Sequence, residues 1–178
     1  MQSTYEIFSV PAAWTADDYR TDDWIDKLSD VQLRELDEAT RCLPEDEREW
    51  LKLTKGDLEL PELGPYLDRV NETLDRGRGF ALLRGIDLPP TDIDYAYRVN
   101  WVLAVALGDV IAQNANGEVI GPVQALVDTT GSGIETRGYV SNAELRFHCD
   151  GGDVASLLCV RQAPEGGLSS LVSMISIH

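Results

Sequence analysis

Two residues late in the sequence, His148 and Asp150, have the types and the spacing of metal ligands. They lie in a segment that reads as a strand and that runs from Leu145 to a turn-prone Gly151. Residues two apart on a strand project from the same face, so the imidazole and the carboxylate can bind one ion while Cys149 points away. Two histidines and one carboxylate form the facial triad of non-heme Fe(II) oxygenases. The pair therefore supplies two of the three protein ligands of such a site.

The third ligand is not evident from the sequence. His178 is the one other histidine, and it lies too close to Asp150 in sequence to be assigned as a ligand from its identity alone. A metal-dependent hydrolase using His148 and Asp150 would need a further cluster of His, Asp or Glu, which the sequence does not show. The structural alternative is a surface ion pair at the end of a strand.

The bulk composition limits the class of protein and its partners. A length of 178 residues, 43% of them apolar, predicts one globular domain with a core. The net charge of -16 repels phosphate backbones and anionic lipids, so we expect neither nucleic acid nor a membrane as a partner. The amino terminus has no basic region followed by an apolar stretch, and the three cysteines have unrelated spacings. These features predict a cytoplasmic protein with reduced thiols.

Helices are predicted in the first part of the chain. Ser29 and Gln32 form a capping box, which predicts a helix over about 30–42. Pro65 near its start and Gly77 at its stop delimit a second helix. A further capping box at Thr91 and Asp94 opens a third helix, which stops at Gly108.

Strands are predicted in the second part. An apolar run between glycines over 79–85 reads as a buried strand. Beyond Gly108 we expect strands over 110–113, 119–127, 144–148, 154–161 and 168–177. Helices followed by successive strands predict an α+β protein whose sheet is largely antiparallel.

Five motifs occur in the order found in a known family. They are GFALLRG at 79–85, RGYVSN at 137–142, LRFHCD at 145–150, LLC at 157–159 and GGLSS at 166–170. Together they resemble the amino-terminal half of the taurine dioxygenase (TauD/TfdA) family of Fe(II)- and 2-oxoglutarate-dependent oxygenases. The resemblance implies a partial double-stranded β-helix, a clavaminate synthase-like jelly-roll. One incomplete domain would then span 1–178, with a helical part at 1–78 and the first core strands and a packing helix at 79–178.

The resemblance also implies roles for individual residues. His148 and Asp150 fall on the family's first two iron ligands. Ser169 falls where family members place a hydroxyl that hydrogen-bonds a carboxylate of 2-oxoglutarate, and Asn142 falls in a segment bordering the active site, where its amide can orient substrate or cosubstrate. His178 falls near a family histidine that does not bind the iron. The implied metal is Fe(II), and the implied cosubstrate is 2-oxoglutarate.

Two interpretations follow, because family members supply the distal histidine and the arginine for 2-oxoglutarate from beyond the matching segment. In one, the protein is a dioxygenase that hydroxylates or desaturates a small organic substrate, and this chain carries the first part of its site. In the other, the chain is a truncated or split non-catalytic fragment that needs a second chain or has lost activity. The expected partners are a small-molecule substrate and either a second copy or a complementing carboxy-terminal fragment. The substrate is not defined by the sequence.

Overall fold

The computed structural model describes residues 9–20, 22–113, 117–123 and 145–177. The chain divides into two compact units, one formed by Met1–Asp109 with Leu157–His178 and the other by Val110–Ser156. The regular elements of the described residues are β1 (Ile25–Lys27), α1 (Asp30–Cys42), α2 (Glu47–Trp50), α3 (Leu63–Arg76), β2 (Leu82–Arg84), α4 (Ile93–Leu107) and α5 (Met174–Ile177). All of them belong to the first unit.

The start of α1 follows from its capping box. The backbone N–H of Gln32 donates to Ser29 Oγ at 3.3 Å, and the backbone N–H of Ser29 donates to Gln32 Oε1 at 2.9 Å. Two backbone donors at the helix start are thus satisfied by side chains. The predicted helix over 30–42 is confirmed at both ends.

The other two long helices are also confirmed, one of them with a change at its start. The helix α3 begins at Leu63, so that Pro65 lies near its start, and it ends at Arg76 before Gly77, as predicted. In α4 the side chain of Asp92 accepts a hydrogen bond from the backbone N–H of Tyr95 at 2.9 Å. The N-cap is therefore Asp92, and the capping box predicted at Thr91 and Asp94 was wrong, because the helix begins one residue later and the Asp92 carboxylate caps it.

The core of the first unit lies where α1, α3 and α4 pack together. Each helix turns an apolar stripe inward, as expected for amphipathic helices around a common core. The most deeply buried apolar side chains are Leu36 of α1, Leu63 and Leu67 of α3, and Val99, Trp101, Val102 and Ala106 of α4. No helix within the described ranges is long and apolar enough to cross a membrane.

The sheet of the described residues contains two short strands. β1 pairs with β2 in parallel, with Ile25 opposite Leu82 and Lys27 opposite Arg84. The strand predicted over 79–85 is confirmed in its central part. β1 was not predicted, because its three residues are too few to show either an apolar run or an alternation of apolar and polar side chains. Helices with a small sheet agree with the α+β class, but this pair is parallel, whereas a largely antiparallel sheet was expected.

The strands expected beyond Gly108 are absent from the described residues. No strand is formed over 110–113, 119–123, 145–148, 154–161 or 168–177, and the last range ends in α5. A strand satisfies its backbone groups only by pairing with a neighbour. The described residues provide no neighbour for these segments, so their strand-like sequence does not give a sheet. The partial jelly-roll therefore stays a prediction.

Candidate metal site

The side chains of His148 and Asp150 lie next to each other in the second unit. Their closest atoms, Nε2 of His148 and Oδ1 of Asp150, are 3.6 Å apart. The other ring nitrogen, Nδ1, lies 2.8 Å from the backbone carbonyl oxygen of Arg146. Because a carbonyl can only accept, Nδ1 carries a hydrogen and donates it. In the neutral imidazole, Nε2 then presents its lone pair to the side on which Asp150 lies.

This arrangement fits a divalent metal ion. In an octahedral site, two neighbouring nitrogen and oxygen ligands that each lie about 2.1 Å from the ion make a 90° angle at it and lie about 3.0 Å from each other. The observed 3.6 Å is slightly wider, and the side chains are 50% and 63% exposed, so a small rotation can close the difference without disturbing a core. The Nδ1 hydrogen bond to the carbonyl of Arg146 is the kind of contact that fixes the tautomer of metal-binding histidines. The pair therefore offers one imidazole nitrogen and one carboxylate oxygen to an ion.

The pair does not by itself complete a metal site. Across the described ranges, no group of three or more His, Cys, Asp or Glu side chains comes together in a way that could hold a metal ion. His178 and Asn142 lie outside the described residues. Cys149, between the two candidate ligands, is exposed with a free thiol. A third ligand has to come from elsewhere if the pair binds iron.

Ser169, the candidate cosubstrate residue, belongs to the first unit and is exposed. It follows a turn that only glycine accommodates easily, since the φ angles of Gly166 and Gly167 are +72° and +65°. A Cβ atom on Gly167 would also lie 3.2 Å from the Cβ of Ala163. Both glycines of the GGLSS motif are thus required by the backbone, and they determine the direction in which the chain enters Ser169.

Residues 39–178 match the family model described as "Taurine catabolism dioxygenase TauD, TfdA family". The chain belongs to the TauD/TfdA family. This confirms the family that the five ordered motifs indicated. The match also includes α3, α4 and residues 39–78, which are about half of the helical first part, a part that contains none of the five motifs.

Two curated relatives are similar to this TauD/TfdA chain. The FR-33289 synthase of Streptomyces rubellomurinus is 28% identical over 155 residues, which are 87% of this chain and 46% of the synthase. The taurine hydroxylase-like protein SAT17 of Stachybotrys chartarum is 25% identical over 179 aligned positions, which cover 93% of this chain and 45% of that protein. The chain therefore spans about half the length of these relatives.

The TauD/TfdA segment after Ser169 contains two residues that sequence reasoning did not single out. Ser173 Oγ donates to the backbone carbonyl of Ala12 at 2.5 Å, and Ser176 Oγ donates to the carbonyl of Trp14 at 2.8 Å. Their partners are backbone atoms far away in the sequence, so no local pattern marks them. The sequence instead predicts a strand over 168–177, whereas its last residues form α5.

A cavity of about 220 Å³ lies beside α1 and α4. None of the residues that line it is a candidate metal ligand. Its polar wall includes Asp37 and Tyr95, and the hydroxyl of Tyr95 donates to Asp37 Oδ1 at 2.8 Å. Burial, followed by this hydrogen bond, raises the pKa of Tyr95 to about 12. The guanidinium of Arg41 and then the Tyr95 hydroxyl lower the pKa of Asp37. The carboxylate is already paired, so these groups form a structural contact between two helices.

Proposed function

We propose that the chain supplies the first part of an Fe(II)- and 2-oxoglutarate-dependent dioxygenase site. The observation that carries the proposal is the pairing of His148 Nε2 with Asp150 Oδ1 at 3.6 Å, with Nδ1 held by the carbonyl of Arg146. Membership in the TauD/TfdA family supports an oxygenase of this type. When bound, Fe(II) would supply the oxidation chemistry, in which 2-oxoglutarate and dioxygen are consumed and a small organic substrate is hydroxylated or desaturated.

The residues of this chain have distinct tasks in the proposed site. His148 offers a neutral nitrogen donor, and Asp150 offers an anionic oxygen donor that offsets part of the metal's charge. The carbonyl of Arg146 keeps the Nε2 lone pair free for the metal. By its place in the family motif, the hydroxyl of Ser169 binds a carboxylate of 2-oxoglutarate, and the amide of Asn142 orients substrate or cosubstrate.

The names of the two relatives support the class of reaction. One relative is named a synthase and the other a taurine hydroxylase-like protein. Hydroxylation of a small organic molecule is the reaction that the second name states, and we propose the same class here. The substrate itself is left open, because neither relative exceeds 28% identity and each is matched over less than half its length.

A second candidate function is that of one part of a two-chain or self-associating assembly. Large apolar side chains are exposed throughout the segment that follows the candidate ligands, with exposed fractions of 50% for Val154, 82% for Leu157 and 87% for Leu168. Apolar side chains exposed in such number along one segment favour burial against another polypeptide. We propose that these apolar side chains are buried by a polypeptide equivalent to the remaining half of the relatives. The alternative is that a second copy of this chain buries them.

The test is anaerobic titration of the purified chain with Fe(II) and 2-oxoglutarate, followed by the visible charge-transfer band of the chelated metal. The proposal expects the band in the wild type, its loss in His148→Ala, and its retention in Cys149→Ser, which changes the residue between the two ligands. An equal band in His148→Ala would reject the metal site.

The same titration separates the two candidate functions. If the band appears only after a polypeptide equivalent to the second half of a relative is added, the assembly is supported. Release of succinate by the purified chain without that polypeptide, when oxygen is admitted, would contradict a two-chain assembly. If the active chain is also a monomer in solution, the self-associating assembly is contradicted as well. Light scattering of the purified chain distinguishes a second copy from a different partner.

A further inference from the structure

The segment that carries Ser169 is fastened to the amino-terminal part of the chain at one place. Ser173 is 6% exposed, and its Oγ donates to Ala12 O at 2.5 Å and accepts from the backbone N–H of Ser176 at 3.1 Å. Ser176 Oγ donates to Trp14 O at 2.8 Å. We call these two serine side chains and the two carbonyls they bind the serine clamp. All of it lies in the first compact unit.

The amino-terminal side of the serine clamp is firmly held. The indole N–H of Trp14 donates to the carbonyl of Arg78 at 2.8 Å, and its ring makes an edge contact with Phe80 at 5.0 Å between centroids. The ring of Phe80 also contacts the ring of Trp24, at 5.7 Å between centroids, and Phe80 lies two residues before the start of β2. The carbonyl of Trp14 is therefore a fixed acceptor that is part of the packed aromatic cluster beside the sheet.

The other side of the serine clamp has few further restraints. Among the described residues, no hydrogen bond joins 157–172 to another part of the chain, and this segment has no regular secondary structure. Leu168 and Leu171 are 87% and 59% exposed, so apolar packing does not hold the segment either. Ser173 is four residues after Ser169 and is the nearest position anchored by a hydrogen bond.

We propose that Ser173 and Ser176 are positioning residues for cosubstrate binding, acting through the segment that carries Ser169. This inference rests on the proposed function, in which the Ser169 hydroxyl binds a carboxylate of 2-oxoglutarate. Four residues of chain reach at most about 14 Å, so the clamp limits the volume that the Ser169 hydroxyl can visit. Without the clamp, the fraction of molecules with a correctly placed hydroxyl falls, and the apparent dissociation constant rises in inverse proportion.

The test compares four variants with the wild type: Ser173→Ala, Ser176→Ala, Ser176→Thr and Ser156→Ala. Ser176→Thr keeps the hydroxyl and is the rescue variant, while Ser156→Ala removes an exposed serine that has no hydrogen bond among the described residues. Two measurements are made, anaerobic Fe(II) affinity without cosubstrate and 2-oxoglutarate affinity with Fe(II) present. Amide hydrogen exchange of 168–177 reports whether the segment is released.

We expect both alanine variants of the clamp to exchange faster over 168–177 and to bind 2-oxoglutarate about fivefold to tenfold more weakly, as the loss of one hydrogen bond suggests. Their Fe(II) affinity stays within about twofold of the wild type. Ser176→Thr and Ser156→Ala behave like the wild type. A parallel fall in Fe(II) affinity would indicate a general structural defect and overturn a positioning role.

The outcomes keep the two proposals apart. If the wild type binds 2-oxoglutarate and the alanine variants bind it equally well, the positioning role is rejected and the proposed function stands. If the wild type binds Fe(II) but no 2-oxoglutarate, either alone or with the complementing polypeptide, the proposed function fails and this inference fails with it. Unchanged hydrogen exchange in both alanine variants would show that the serine clamp does not hold the segment.

Discussion

Glu35 of α1 caps the start of α3, with its Oε2 atom 2.8 Å from the backbone nitrogen of Leu63. The same carboxylate also accepts from the backbone N–H of Glu62, at 3.0 and 3.1 Å from its two oxygens. The first N–H groups of a helix have no partner within the helix, and they carry partial positive charge. A carboxylate from one helix therefore satisfies the end of another, and it links α1 to α3 beyond their apolar contact.

The first prediction concerns this tertiary cap. Glu35→Ala should lower the free energy of unfolding by about 1 kcal/mol, the usual effect of losing a helix cap. Glu38→Ala is the matched control, because Glu38 is exposed on the same helix and has no polar partner among the described residues. Urea denaturation monitored by circular dichroism measures both. Equal losses in the two variants would contradict a capping role for Glu35.

The second prediction concerns the core. Leu67 is fully buried between the helices, whereas Leu51 is 61% exposed. Replacing a fully buried leucine by alanine removes its apolar burial and leaves a cavity, so Leu67→Ala should cost about 2–5 kcal/mol of unfolding free energy. Leu51→Ala should change it by less than about 0.5 kcal/mol. A small effect at Leu67 would show that the three-helix core is loosely packed.

The third prediction concerns the contact between Tyr95 and Asp37. The folded pKa of Tyr95, about 12, lies above the ordinary value of 10.0. The stabilisation linked to this pKa is therefore present below pH 10 and is lost as the pH rises through the folded pKa. At the acidic end, the pKa of Asp37 is lowered in the folded state. The stabilisation of the folded state that is linked to this carboxylate is therefore lost as the pH falls through its folded pKa.

Phenolate absorbance measures the alkaline part of this prediction. The difference in phenolate absorbance between the wild type and Tyr95→Phe should have its titration midpoint near pH 12. The two proteins are compared over the pH range in which circular dichroism shows a folded chain. Asp37→Asn should move the midpoint only part of the way toward 10, because burial is the larger cause and remains. A wild-type midpoint near 10 would refute the half-buried, hydrogen-bonded state of Tyr95.

The fourth prediction concerns the second candidate metal ligand. Asp150→Asn keeps the shape of the side chain but removes its charge, and it should weaken Fe(II) binding by at least about tenfold. Asp153→Asn makes the same change at an exposed carboxylate that has no polar partner among the described residues, and it should leave the affinity unchanged. Anaerobic titration with a competing chelator measures both. Equal weakening would indicate a general electrostatic effect instead of ligation.

The helices could be predicted from the sequence where their signals are local. The Ser29 and Gln32 capping box gave both the existence and the first residue of α1. The carboxylate that caps α3 could not be predicted, because it belongs to Glu35, which comes from another helix and leaves no pattern beside Leu63. The predicted strands after Gly108 depended on pairing partners, and strand propensity does not provide these.

The candidate site could be predicted only in part. Spacing alone placed His148 beside Asp150, and the observed contact agrees with that expectation although the segment is not a strand. The hydrogen bond from Nδ1 to Arg146 O could not be foreseen, because it depends on local backbone geometry. The roles of Ser173 and Ser176 could not be foreseen either, since their acceptors, Ala12 and Trp14, are more than 160 positions away.

The serine clamp also has a consequence for the time course of folding during synthesis. The hydrogen bond from Ser173 to Ala12 spans 161 positions, and a ribosome adding about 5–20 residues per second needs roughly 8–32 s to cover that distance. The helices α1, α3 and α4 can pack during this interval, because their contacts are closer in sequence. The hydrogen bonds from Ser173 and Ser176 to the carbonyls of Ala12 and Trp14 can therefore form only after both serines have left the ribosome. The clamp is thus a late-forming contact, which closes around a helical core that is already folded.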